Sequence, residues 1–121
     1  MLKLASRRIK NVLTILLMVL FVAFLTDLAT STQDNSSGKV IDIAIQNFAF
    51  NPDSVKTSAD NTVRWTNMDL AEHTVDGPIF KSGIITKGQN YEFRFTEPGV
   101  YNYECSIHPS MKGTITVVAK K

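Results

Sequence analysis

The sequence beyond residue 38 predicts an all-β domain, a two-sheet sandwich or barrel of seven or eight short strands. Three observations carry this reading. Ile41, Ile43 and Ile45 alternate with Asp42, Ala44 and Gln46, which is the two-residue period of a half-buried strand. Turn-forming clusters such as Asn51-Pro52, Lys87-Gly88-Gln89-Asn90 and Glu97-Pro98-Gly99 recur along the chain, and the short strands between turns come at a spacing of roughly ten residues, as in small sandwiches. No stretch after residue 38 carries a helical period.

Taken in order, the first strand covers residues 40–46. Phe48 and Phe50 then flank a turn at Asn51-Pro52, and a short strand follows at residues 54–57. A turn through Ser58-Ala59-Asp60-Asn61 leads to a strand at residues 62–67, with Val63 and Trp65 facing inward. Residues 68–78 form a longer loop containing His73. Residues 79–85 predict one or two short strands around Gly83. Residues 91–95 alternate again, and residues 100–105 set Tyr101, Tyr103 and Cys105 on one face against Val100, Asn102 and Glu104. Residues 114–118 close the sheet. There is no internal repeat.

The N-terminal segment is of another kind. Lys3, Arg7, Arg8 and Lys10 precede a 14-residue apolar run at residues 12–25, interrupted by Thr14. A basic region followed by an apolar core marks an export signal. The run is short for a membrane span, which needs about 20 residues; extended to Ala29 it also takes in Asp27. Residues 1–29 therefore predict either a signal peptide, cleaved near Ala29 and Ser31, or a retained membrane anchor. In both cases the basic flank stays in the cytoplasm and the following domain is exported. A buried core helix is disfavoured, because nothing downstream would partner it. Residues 30–38, TSTQDNSSG, are small and polar and read as a flexible linker; Asn35-Ser36-Ser37 matches a glycosylation sequon. Residues 39–121 form the domain, which is close to the lower size limit for a self-sufficient core. Setting aside the basic N-terminus and Asp27 leaves nine basic against ten acidic residues. That balance gives no basis for nucleic-acid binding.

The chemistry concentrates at residues 99–113, GVYNYECSIHPSMKG. The single cysteine of the chain, Cys105, cannot form an intrachain disulfide. His108 and Met111 follow it at intervals of three residues. A thiolate, an imidazole and a thioether together favour copper over harder ions. Zinc is the main inorganic rival, but methionine suits it poorly. A nucleophilic Cys-His pair would need a third group to orient the histidine, and no Asp or Asn is placed for it. The remaining histidine, His73, lies in a loop that sandwich topology can bring to the same end. Two imidazoles and a thiolate in a plane, with a weak axial thioether, make a blue-copper electron-transfer site.

These residues resemble those of the cupredoxins, and within them the amicyanin, pseudoazurin and plastocyanin group. The match rests on Gly99, Tyr101, Tyr103, Cys105, His108, Pro109, Met111 and Gly113, with His73 in EHTVDGP. NFAFNP and VRWTN support it, and it extends over residues 39–119. The resemblance implies a Greek-key sandwich that binds one copper ion per chain through His73, Cys105, His108 and Met111. It further implies a monomeric carrier of single electrons, not an enzyme, that meets transient redox partners outside the cytoplasm. Electrons would pass through His108, with Ile107, Pro109, Met68 and Pro78 as an apolar docking rim. Many relatives carry asparagine after the first histidine to tie the two ligand loops together; Thr74 stands there in this chain, and its hydroxyl can make a shorter tie. The acidic residues Asp69, Glu72 and Asp76 around His73 read either as a solvated loop or as a docking patch for a cationic partner. The alternative function is copper storage or delivery. It would favour exposed, exchangeable, methionine-rich ligands, and two of the four methionines, Met1 and Met18, lie in the export segment.

Overall fold

The computed structural model describes residues 38–121, together with residues 11, 12, 14 and 15. The chain divides into two units, Met1–Asn35 and Ser36–Lys121. In the first unit the described residues are helical; otherwise the export-or-anchor segment, and the linker as far as residue 37, lie outside the described residues. Among the described residues, no helix is long and apolar enough to cross a membrane.

The second unit is all-β. Its strands are β1 (Val40–Gln46), β2 (Ala49–Asn51), β3 (Ser54–Ser58), β4 (Thr62–Asn67), β5 (Asn90–Arg94), β6 (Gly99–Glu104) and β7 (Lys112–Val118). They form a four-stranded sheet, ordered β2-β1-β4-β5, and a three-stranded sheet, ordered β3-β7-β6. Two pairs are parallel, β1 with β4 and β3 with β7. The register sets Ile41 opposite Val63 and Ile43 opposite Trp65, so the inward faces of β1 and β4 form one apolar surface. Phe50, Phe95, Tyr103, Ile115 and Val117 complete the core against it.

Most strands lie within two residues of their expected positions. Residues 79–85 do not form strands: they run as loop, with isolated bridges from His73 to Ile85 and from Asp76 to Lys81. The cause is their burial pattern. Phe80 and Ile85 are buried while Ile79 and Ile84 are exposed, and Gly83 takes a left-handed φ of 70°, so no face alternates. A second difference lies at Asn47-Phe48. These residues form a tight turn, both with φ of 57°, that folds β2 back on β1 with Ile45 opposite Phe50. A left-handed non-glycine residue costs about 1–2 kcal/mol, so something beyond the local sequence holds this turn.

Candidate metal centre

His73 lies in the loop after β4 and is completely buried. Its backbone is fixed on both sides, its N–H donating to the Ile85 carbonyl at 3.2 Å and its carbonyl accepting from Ile85 at 2.8 Å. The side chain is fixed as well, since Nε2 is 2.9 Å from Asp69 Oδ2. A carboxylate only accepts, so the proton is on Nε2 and the Nδ1 lone pair is left for a metal.

Asp69 has more than one task. Its Oδ1 accepts from the Asn47 amide at 2.8 Å and its Oδ2 from the Phe48 amide at 3.0 Å, so one carboxylate holds both the strained turn and the His73 ring. Burial pushes the Asp69 carboxyl upward. The amides of Phe48 and Asn47 and the His73 imidazole together outweigh this and hold it below its usual range. Asn67, buried at the end of β4, shapes the loop from beneath. Its Nδ2 donates to the carbonyls of Ala71 and Ile85, each at 2.8 Å, and its Oδ1 accepts from the Asp69 amide at 2.9 Å.

Cys105 follows directly on β6 and is fully buried and free. The Thr74 amide donates to its sulfur from 3.3 Å away, which fixes the direction the sulfur faces. The Thr74 hydroxyl accepts from the Ser106 amide at 2.8 Å and donates to Asp76 Oδ2 at 2.8 Å. This is the tie between the two ligand loops expected of a threonine there. After Cys105 the chain closes on itself: the Met111 amide donates to the His108 carbonyl at 2.9 Å, and the Cys105 amide to the Met111 carbonyl at 3.1 Å. Met111 is thereby returned, buried, to the cysteine end of its loop. His108 is only partly buried.

Cys105 Sγ is 3.9 Å from His73 Nδ1 and 3.8 Å from His108 Nδ1, and the three donor atoms lie within 4.8 Å of one another. Metal–nitrogen and metal–sulfur bonds of about 2.1 and 2.3 Å, set about 120° apart, separate the two atoms by about 3.8 Å. The residues therefore fit one trigonally held ion, and the donor types suit copper. Of the acidic residues near His73, Asp69 and Asp76 are engaged internally, and Glu72 is exposed.

Sequence reasoning missed Asn67, Asp69 and Phe48 as parts of this centre. A signal existed for Asn67, because the inward period of Val63 and Trp65 continues onto it. For the other two the signal lies in the meeting of distant loops.

Comparison with known proteins points the same way. The cupredoxin-like domain matches residues 14–117. Amicyanin-alpha of Methylorubrum extorquens is 33% identical over 86 residues, which are 63% of this chain and 70% of that protein. Amicyanin of Paracoccus versutus is 33% identical over 85 residues, 62% of each. This chain thus spans between 62% and 70% of these relatives' lengths. A solved amicyanin variant in its Cu(I) form superposes with a TM-score of 0.62 at 28% identity, covering 68% of this chain and 83% of that one.

Proposed function

The chain belongs to the cupredoxin-like family, and on that premise we propose that it is a mononuclear blue copper protein carrying single electrons between redox partners outside the cytoplasm. The ligands are His73, Cys105, His108 and Met111. The observation that most supports this is the triangle of one buried sulfur and two Nδ1 atoms with sides of 3.8 and 3.9 Å to the sulfur. Copper held there would alternate between cuprous and cupric states. The protein keeps that change small by holding His73 through Asp69 and Cys105 through Thr74, so that the donors are preorganised. Four protein donors leave no open position for a substrate, which argues for a carrier and against an enzyme.

Storage or delivery needs ligands that exchange readily, and full burial of His73 and Cys105 counts against it. Partners dock briefly at the His108 end, where Ile107, Met68 and Phe48 are exposed. Phe48, beside the His108 ring, extends the apolar rim beyond the residues expected from sequence. The domain of residues 39–121 is exported by residues 1–29 and joined to them by residues 30–38. The mass of protein recovered from membranes distinguishes cleavage near Thr32 from a retained anchor.

The test is the visible spectrum of the full chain loaded with cupric copper. An intense orange-red band is expected, bleached by ascorbate and absent in Cys105→Ser. A colourless protein that still holds cuprous ion overturns the carrier reading in favour of storage or delivery.

A further inference from the structure

Phe48 is out of place by two ordinary standards. It has a left-handed backbone that a bulky residue rarely adopts, and as a residue it is 54% exposed. Strain that survives where the surroundings enforce it is a pointer to function. Here the enforcing group is the Asp69 carboxylate, which accepts from the amides of both turn residues.

The ring so placed stands edge-on to both imidazoles. Its centroid is 5.0 Å from that of His108 and 5.3 Å from that of His73, with interplanar angles of 89° and 85°. The imidazole centroids are 5.1 Å apart, so the three rings close a triangle. His73 is already fixed by burial and by Asp69. His108 has no such support: among the described residues its Nε2 has no hydrogen-bond partner, and its ring contacts are with Phe48 and His73.

We propose that Phe48 is a positioning residue for the copper ligands: the Asp69-clamped turn presses its ring against His108, holding that imidazole in one orientation and keeping water from its flank. This rests on the carrier reading above. It assigns to the β1–β2 turn a task that neither Cys105 nor the ligand loop performs. Aromatic pairs of this geometry are favourable beyond simple burial, and removing one partner should raise the population of other His108 orientations roughly two- to tenfold. Water admitted beside the metal favours the more highly charged cupric state, so the reduction potential should fall.

The experiment compares the full-length wild type with Phe48→Ala, Phe48→Leu and Phe48→Tyr. In the apoprotein, nuclear magnetic resonance of the imidazole nitrogens should show one set of His108 signals in the wild type and in Phe48→Tyr. Broadened or doubled His108 signals are expected in Phe48→Ala and Phe48→Leu, with His73 unchanged throughout. In the copper-loaded protein the potential should fall in Phe48→Ala and return in Phe48→Tyr. Single sharp His108 signals in Phe48→Leu overturn the proposal, because leucine fills the space without a ring. Should Phe48→Ala fail to fold, the Leu and Tyr pair still decides. A wild type without the blue band sinks the carrier reading alone, since the apoprotein comparison needs no metal.

Discussion

The two histidines of the centre offer the same nitrogen to the same point, yet the fold holds them by different means. His73 is held by hydrogen bonds at its N–H, its carbonyl and its Nε2, all organised by Asn67 and Asp69 at the end of β4. His108 is held through its loop: a backbone bond at its carbonyl and ring contacts to Phe48 and His73. The difference follows from position. A buried imidazole must satisfy its far nitrogen within the protein. His108 is only partly buried and is under no such demand, so packing of its ring is the means that remains. The site is thus rigid by polar bonding on its inner side and by shape on its outer side.

The sharpest way to break the polar side is Asp69→Ala. It strips the acceptor from His73 Nε2 and from both turn amides at once. Loss of a carboxylate that orients a ligand histidine lowers metal affinity by about 10- to 100-fold. Stability of the apoprotein should drop by about 2–4 kcal/mol, since charge-assisted bonds contribute more than neutral ones. Competition titration with copper and chemical denaturation measure the two effects. Asp69→Asn should be intermediate, because an oxygen kept at the Oδ2 position still serves Phe48 and His73 and forfeits only Asn47. Unchanged copper affinity in Asp69→Ala would mean that burial alone fixes His73.

The polar side was also the less legible one in the sequence. The alternation of Ile41, Ile43 and Ile45 and the inward pair of Val63 and Trp65 located β1 and β4, because a two-residue period is a local property. Cys105, His108 and Met111 stand out for a similar reason, as candidate ligands spaced along one strand and loop. Asp69 does not, because its role depends on residues 47 and 48, brought beside it by the pairing of β1 with β4. The Asn47-Phe48 turn was missed because rules of turn composition place glycine, asparagine or aspartate, and no aromatic residue, at left-handed positions. Strands expected at residues 79–85 failed since Ile79 and Ile84 face solvent, and hydrophobicity alone does not reveal which apolar residues a loop will leave outside.

Packing on the outer side can be probed from beneath the ligand loop. Gly113 is buried where the loop enters β7, and a Cβ there would overlap the Tyr103 ring. Gly113→Ala must displace either that ring or the loop. Overpacking of this kind costs about 1–3 kcal/mol. If shape holds the outer side, the displacement should reach Met111 and His108 and alter the visible band, while the His73 imidazole signals stay in place. A variant that loses stability but keeps the wild-type band would show that the loop is held independently of Tyr103.

The smallest effect at neutral pH belongs to the hydroxyl of that same tyrosine. Tyr103 OH and Trp65 Nε1 are buried without a hydrogen-bond partner among the described residues. Burial pushes the Tyr103 phenol up to about 12, opposed by the Trp65 indole N–H, which lies near without being aligned as a hydrogen bond. Removing an unpaired hydroxyl leaves nothing newly unsatisfied, so Tyr103→Phe should change stability by no more than about 0.5 kcal/mol at pH 7. Alkaline pH separates the two proteins. The unfolded chain releases the phenolic proton near its ordinary value of 10.0 while the folded protein keeps it to about 12. Stability is therefore independent of this group below the lower value and declines between the two. Tyr103→Phe should lack that part of the decline in denaturation curves of the apoprotein. An identical alkaline slope in both proteins would mean that the ring is hydrated in solution, and that the packing beneath the His108 loop is looser than its counterpart beneath His73.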